Sequence, residues 1–428
     1  MVNRPSTHEN HDSPTAAGVP IVRVNNFAGN SLDLTSVLCV EPSIEAQYRR
    51  SRPRRGDVLI TLVGSIGQVA IAPPEIEGWN LARAVGLIPT ADEHHSKWIA
   101  LSLRAPASQA FMHRNANTTV QTTFNLKDLA QLPIPYPARE VREAILSVLS
   151  PLDDKIDLNR RINETLEAMA QAIFRDWFVD FGPVRRKMAG ATDPVAIMGR
   201  LTPDPNRAVE LAGLFPDALS DDYMPVGWSD APLSAHLEII GGGTPKTNVP
   251  EFWGGDIPWF SVVDTPPGSD VFVFDTEKTI TPEGVTRSSA RLIAAGTTII
   301  SARGTVGNLA MAAREMTFNQ SCYALQSSRG DHACFVYLLA AHAVEQLRAM
   351  AHGSVFSTIT RQTFDAMSFP TAPLPVLSCV ESVLRPLFDR IKAAVDENRT
   401  LAETRDYLLP RLMSGEVRVQ DVGLEIAA

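Results

Sequence analysis

At 428 residues the chain is long enough for two or three domains with sizeable cores. Its 39 Lys plus Arg against 48 Asp plus Glu give a formal charge of -9, which excludes a uniformly basic, polyanion-coating surface but leaves room for a local basic groove. Cys39, Cys322, Cys334 and Cys379 stand far apart with no CxxC pair, so neither a disulfide framework nor a zinc site is expected.

The start, MVNRPSTHENHDSPTAAG, is polar and Pro-rich, unlike a signal peptide. No apolar run reaches the roughly 18 residues of a membrane span, so no membrane partner and a cytoplasmic location are expected. From Gly18, GVPIVRVNNF reads as a strand leaving a turn, and residues 28–53 read as irregular apart from a short helix. Arg49, Arg50, Arg52, Arg54 and Arg55 crowd together at its end, which suits either a solvated face beside a turn or a phosphate-facing patch. Arg54 to Ala72 (RRGDVLITLVGSIGQVAIA) reads as a turn, a strand, a Gly-containing turn and a second strand. Asn80 to Pro89 reads as another strand, and Trp98 to Asn115 has helical periodicity. After Asn117, TTVQTTFNLKDLAQLPIPYP opens as a loop, holds a single turn and ends Pro-rich, stopping the domain.

A long helix then follows. Positions 149, 152, 156, 159, 163, 166, 170, 173 and 177 advance by alternating threes and fours and hold Leu, Leu, Ile, Asn, Asn, Leu, Ala, Ile and Trp. That is a coiled-coil seam. Adding 235 to each number gives Leu384, Leu387, Ile391, Ala394, Asn398, Leu401, Arg405, Leu408 and Leu412. Two ordinary amphipathic core helices would be the plainer reading of either seam alone. The shared frame, the shared Pro (Pro151, Pro386) and the shared polar residue (Asn163, Asn398) favour two helices that bury each other, with the asparagines fixing register.

The rest of the second half repeats the first. Gly56, Gly64 and Gly67 fall on Gly296, Gly304 and Gly307 at an offset of 240, and Pro20 matches Pro258. Phe318-Asn319 falls near Trp79-Asn80, and Ile359, Phe364, Met367 and Pro370 answer Phe124, Leu129, Leu132 and Pro135 at 235. The chain therefore reads as a tandem duplication of a globular unit followed by a long helix. The expected fold class is mixed α/β (α+β). Its first globular domain covers 1–137, a central long helix 138–181, a linker 182–224, a second globular domain 225–375, a C-terminal long helix 376–414 and a tail 415–428. The first domain has no counterpart of the opening Pro225 to Gly255, unless Gly415 to Val422 supplies the missing strand.

Catalytic signatures are scarce. Gly241 to Thr247 (GGGTPKT) lacks the GK[ST] ending and spacing of a phosphate loop and reads as a turn, and His8-Glu9-Asn10-His11 is one residue short of a zincin motif. No GxSxG elbow, dinucleotide fingerprint or NPPY-like methyltransferase motif occurs.

The runs RRGDVLITLVGSIGQVA, LPIPYPAREVREAILSVLSPLDDKIDLNRRINETLEAMAQAIFRDWFVDFGPV, GWSDAPLSAHLEIIGGGTPK and YLLPRLMSGEVRV resemble the specificity subunit of type I restriction-modification systems. The resemblance implies two target-recognition domains, each reading half of a split double-stranded DNA target, joined by two antiparallel helices. It also implies docking of two methyltransferase subunits, with motor-nuclease subunits added for cleavage. No cofactor is then expected in this chain; S-adenosylmethionine, ATP and Mg would sit on the partners. The chain would be a reader and no enzyme.

Reading base edges needs paired donors and acceptors, which favours Arg, Asn and Gln on loops, with Lys and Ser/Thr on phosphates. The DNA-binding candidates are Arg23, Arg52, Asn80, Arg83, Thr119 and Gln121 in the first unit and Lys246, Arg303, Asn319, Gln320 and Ser357 in the second. Phe174, Trp177, Phe178 and Phe181 are aromatics in excess of what a two-helix seam covers, which suits either partner docking or packing against the linker. The competing function is a non-DNA scaffold whose duplicated domains bind proteins on a coiled-coil spacer; a stand-alone enzyme is the third.

Overall fold

The computed structural model describes residues 18–34, 36–118, 122–201, 204–350 and 358–422. They form two compact units: 1–159 with 397–428, and 160–396. The boundary falls inside both long helices, Arg139–Phe178 and Leu374–Ser414, so each helix contributes one half to each unit. Pro151 and Pro386 lie inside these helices and do not begin them.

None of the eighteen seam positions is exposed. In the first unit the two helix segments run antiparallel: Asn159 bonds Asn398, and six residues back toward the start of its helix Asp153 pairs with Arg405. Leu149 packs there with Leu408, Leu409 and Leu412. In the second unit Ala170, Ile173 and Trp177 share a core with Leu384, Phe388 and Ile391.

Two three-stranded sheets build the first unit. Val19–Val22 lies between Leu38–Val40, antiparallel, and Asn80–Leu81, parallel. Val58–Thr61 lies between Val69–Ile71 and Val85–Ile88, both antiparallel. Its strand residues are all buried, which is why this run reads as continuously apolar. The second unit repeats both sheets. Trp253–Phe260 is flanked by Thr279–Ile280 and Thr317–Phe318, and a five-stranded sheet has the order Leu237–Gly241, Cys322–Ser327, Thr298–Ser301, Leu309–Ala312, Phe272–Val273. One further pair, Ser229–Pro232 with Ser368–Thr371, has no match among the described residues of the first unit.

The stretch 182–224, read as a linker, is largely helical and packed. Gly182–Met188, Pro194–Ile197 and Pro205–Gly213 are helices, and Val184, Ile197, Met198, Leu211 and Phe215 enter the main core of the second unit. The tail does not supply the missing strand. Residues Val419–Asp421 form a single 3-10 turn, while Val417 and Val422 are buried against Leu408 and Leu412.

Candidate nucleic-acid interface

The glycine-containing hairpin is duplicated down to its hydrogen bonds. Thr61 Oγ1 donates to Ser65 O and accepts from Gln68 N; Ser301 Oγ donates to Thr305 O at 2.5 Å and accepts from Asn308 N at 2.8 Å. Gly64, Gly67, Gly304 and Gly307 have φ of 77, 87, 80 and 85°, the left-handed region that side chains disfavour. Each hairpin tip is bridged to the segment that follows a shorter helix, Pro106–Arg114 in the first unit and Ala333–Met350 in the second, through Val63 to Thr123 and Arg303 to Thr358. Each is tied as well to the turn after the parallel edge strand, through Leu62 N to Ala84 O and Ala302 N to Ser321 O, both 2.8 Å. Three loops thus meet at one place in each unit, where a rigid scaffold can present side chains.

Strand register corrects one alignment. Val22 pairs with Leu81 and Phe260 with Phe318, so Leu81 answers Phe318 at an offset of 237. Asn80 therefore answers Thr317, not Asn319, and Arg83 answers Gln320. Both Arg83 and Gln320 are exposed at this turn.

Asn80 presents nothing to a ligand. It is 1% exposed, its Nδ2 donates to Glu45 Oε1 at 2.9 Å and to Tyr48 O at 3.1 Å, and its Oδ1 accepts from Leu81 N at 2.8 Å. Arg52 is likewise engaged, with Nε and Nη2 each 2.6 Å from the Glu45 carboxylate. That guanidinium, with Asn80 adding to it, holds the Glu45 carboxyl below its ordinary value against the effect of burial. Arg49, Arg50, Arg54 and Arg55 remain exposed around this knot, so the basic patch survives without Arg52. Arg23 is half-buried and its backbone N donates to Asn26 Oδ1 at 2.9 Å, in a turn that Ser261 and Asp264 reproduce in the second unit. Thr119, Gln121 and Ser357 lie outside the described residues.

The second unit brings more of its candidates together. Arg303 N donates to Ser321 O at 3.2 Å, Asn319 Oδ1 accepts from Ser321 N at 3.0 Å, and Gln320 Oε1 accepts from the Thr244 hydroxyl. Arg303, Gln320 and Lys246 are exposed. The GGGTPK turn reaches this place because it has no side chains there: a Cβ on Gly242 would lie 2.0 Å from Asn319 O, and one on Gly243 would lie 2.2 Å from Ser289 O. Thr244 was not among the candidates; its place in a glycine turn was the available signal.

The register asparagines are both in use, in different ways. Asn398 Oδ1 accepts from Asn159 Nδ2 at 2.9 Å, while Asn163 Nδ2 donates to Asp270 Oδ1 at 3.1 Å. The two do not play one equivalent role. The aromatic cluster is corrected: Phe174, Trp177, Phe178 and Phe181 are all buried, against Phe335, Phe369, Phe215 and Trp228, and offer no docking surface. The four aromatics that exceed the seam's needs are covered in part by Phe215 and Trp228 of the packed stretch 182–228, whose helices the Pro- and Asp-rich composition concealed, and in part by Phe335 and Phe369.

Among the described residues no cluster of His, Cys, Asp and Glu could hold a metal. The pattern of the family described as "Type I restriction modification DNA specificity domain" matches residues 3–168 and 225–377. The chain belongs to this family. The HindI specificity subunit of Haemophilus influenzae is 31% identical over 336 residues, covering 71% of this chain and 72% of that one. The MjaIX specificity subunit of Methanocaldococcus jannaschii is 23% identical over 383 residues, covering 86% and 79%. A crystal structure of the type I restriction-modification S subunit from M. genitalium aligns with a TM-score of 0.45 at 12% identity, over 92% of this chain and 88% of that one. The family match coincides with the two duplicated segments, and the expected mixed α/β repeat with long helices holds. Kinship with specificity subunits also makes the chain a reader of DNA and not a catalyst.

Proposed function

We propose that this type I specificity subunit reads a split target in double-stranded DNA, each globular unit contacting one half. The observation that carries this reading is the duplicated three-loop platform, which offers Arg83 in one unit and Gln320 with Arg303 in the other. Both residue types present the paired groups that base edges require. Lys246 and the Arg49, Arg50, Arg54, Arg55 patch suit phosphates, which position a protein without specifying sequence. The seam from Leu149 to Trp177 measures about 42 Å at ~1.5 Å per residue, against roughly 34 to 36 Å for a DNA turn. That length corresponds to about 12 base pairs, and with a few base pairs read in each half a non-specific spacer of roughly 6 to 8 remains.

The partners in this reading are two methyltransferase subunits, with motor-nuclease subunits for cleavage, and S-adenosylmethionine, ATP and Mg belong to those partners. Docking falls to the outward faces of the long helices, where Leu158 and Met169 are exposed, because the aromatic cluster is not available. The working compartment is the cytoplasm. No helix among the described residues is long and apolar enough to cross a membrane.

Gel shifts of the complex at rising salt, with methylated motifs mapped in cells that have or lack the chain, test the proposal. Affinity should fall steeply with salt, and a two-part motif should vanish with the chain. Salt-insensitive binding, or one continuous motif, would overturn it and favour the protein-binding scaffold.

A further inference from the structure

The central strand of each three-stranded sheet that carries the parallel pair runs into the same built turn. Val22 and Phe260 end those strands, and Val24–Asn26 and Val262–Asp264 then form one 3-10 turn each. Arg23 N donates to Asn26 Oδ1 at 2.9 Å, and Ser261 N donates to Asp264 Oδ2 at 2.7 Å. Further bonds tie each turn to the chain that follows. Asn26 Nδ2 donates to Asp33 O at 3.0 Å and to Ser36 O at 2.9 Å, while Asp264 Oδ1 accepts from Glu277 N at 2.7 Å. Each tip is thereby held in place by its neighbours.

In both turns a valine faces in and the next residue faces out. Val24 packs against the cluster of Val22, Leu81 and Val85, and Val262 packs against that of Phe260, Phe318 and Cys322. Those partners flank the short turns that carry Arg83 and Gln320, so two turns lie side by side in each unit. Ala82 N to Val22 O and Asn319 N to Phe260 O, both 2.9 Å, start them together. The outward residue is Asn25 in the first unit and Val263, 74% exposed, in the second. The fold makes no use of the Val263 side chain, because Ser261 and Asp264 fix the turn and Val262 supplies its core contact. One frame thus presents two different chemistries. An asparagine amide matches the N6 donor and N7 acceptor of adenine, whereas a valine offers only methyl groups, whose match in the major groove is the 5-methyl of thymine.

We infer that these tips are specificity-determining positions: Val263 packs on a thymine methyl in the half of the target read by the second unit, and Asn25 takes an adenine edge in the other half. The inference rests on the reading of a split DNA target proposed above and extends it to two residues and the bases they meet.

The test uses the full chain complexed with the methyltransferase subunits proposed as partners, on duplexes carrying the motif mapped in cells. Each thymine of the half that Gln320→Ala relaxes is replaced in turn by deoxyuridine, which lacks only the methyl. One such replacement should weaken binding about three- to fivefold, the worth of one buried methyl group. Val263→Ala should bind the thymine and uracil duplexes alike. In the other half, 7-deazaadenine at one adenine should weaken binding about fivefold or more, and Asn25→Ala should erase that difference. Each comparison is made within one protein variant, so a change in folding cannot imitate it. Uracil tolerated at every thymine of the half, a half without thymine, or a uracil effect that survives Val263→Ala overturns the inference for the second unit. The corresponding results with 7-deazaadenine and Asn25→Ala overturn it for the first. If Gln320→Ala relaxes neither half, the reading of the split target fails and takes the inference with it.

Discussion

The two units meet the same packing problem with opposite chemistry. In the first, Asp153 holds Arg104 at 3.1 Å and Arg405 at 2.7 Å, with all three side chains 12 to 14% exposed. Arg104 also donates to Val69 O and Asn30 O, joining the globular part to the helices within that unit. Adding 235 to Asp153, and subtracting it from Arg405, gives Phe388 and Ala170, buried beside Tyr337 and Phe272. A second exchange is partial: where the first unit has the Glu45, Arg52 and Asn80 knot, the second has Val285, packed against Trp259 and Ile280, and Thr317, whose hydroxyl donates to Pro258 O at 3.0 Å. A shared backbone frame accepts either filling provided each is complete. Burial of a paired charge demands its partners, whereas an apolar filling demands only volume.

The largest effect expected from this contrast is at Asp153. Asp153→Ala removes the carboxylate that Arg104 and Arg405 share, leaving Arg405 only its neighbour Asp406 at 2.9 Å, and should cost about 3 to 5 kcal/mol, read as a lowered urea midpoint. Installing the apolar solution as a whole, with Asp153→Phe, Arg405→Ala and Arg104→Leu together, should recover most of that loss. A triple variant as unstable as D153A would break the equivalence.

Acidification should separate the units next, by a smaller margin. Burial holds the rings of His236, His332 and His342 in the second unit below the ordinary histidine value of 6.5. Such groups bind more protons when unfolded, so stability falls as pH drops from about 6.5 toward the lower folded values. In the first unit Glu45 is held below 4.5, so its contribution is complete above that value and is lost only as pH falls through the folded one. Hydrogen exchange, corrected for intrinsic rates, should therefore quicken in second-unit peptides between pH 7.5 and 5.5 while first-unit sheet peptides hold. Equal quickening in both would remove the distinction.

Much of this architecture was legible in the sequence because periodicity and repetition survive divergence. The seam, its second copy and the glycine hairpin at an offset of 240 were readable from spacing, since φ above zero and a buried stripe each restrict residue type, while the antiparallel direction of the helices came only with the family resemblance. Three things were not. The stretch 182–224 hides short capped helices beneath a linker-like composition, with Asp193 and Asp204 as caps. The aromatic run 174–181 looked like an interface because its cover comes from residues distant in sequence, Phe215, Trp228, Phe335 and Phe369. Asn80 looked like a base reader because sequence gives a polar residue at a strand end without saying that Glu45 and Tyr48 close over it. Insertions between matched strands also shift the offset from 240 to 237, and only register showed that Arg83 answers Gln320.

That equivalence is the point on which the account of function turns. Arg83→Ala and Gln320→Ala should each be expressed with the methyltransferase subunits proposed as partners and the methylated motif mapped genome-wide. Each variant should relax a single half of the motif, a different half for each, at a cost of about 1 to 3 kcal/mol for a lost base contact. Relaxation of both halves by either variant, or an unchanged motif in both, would contradict the division of the target between the two units.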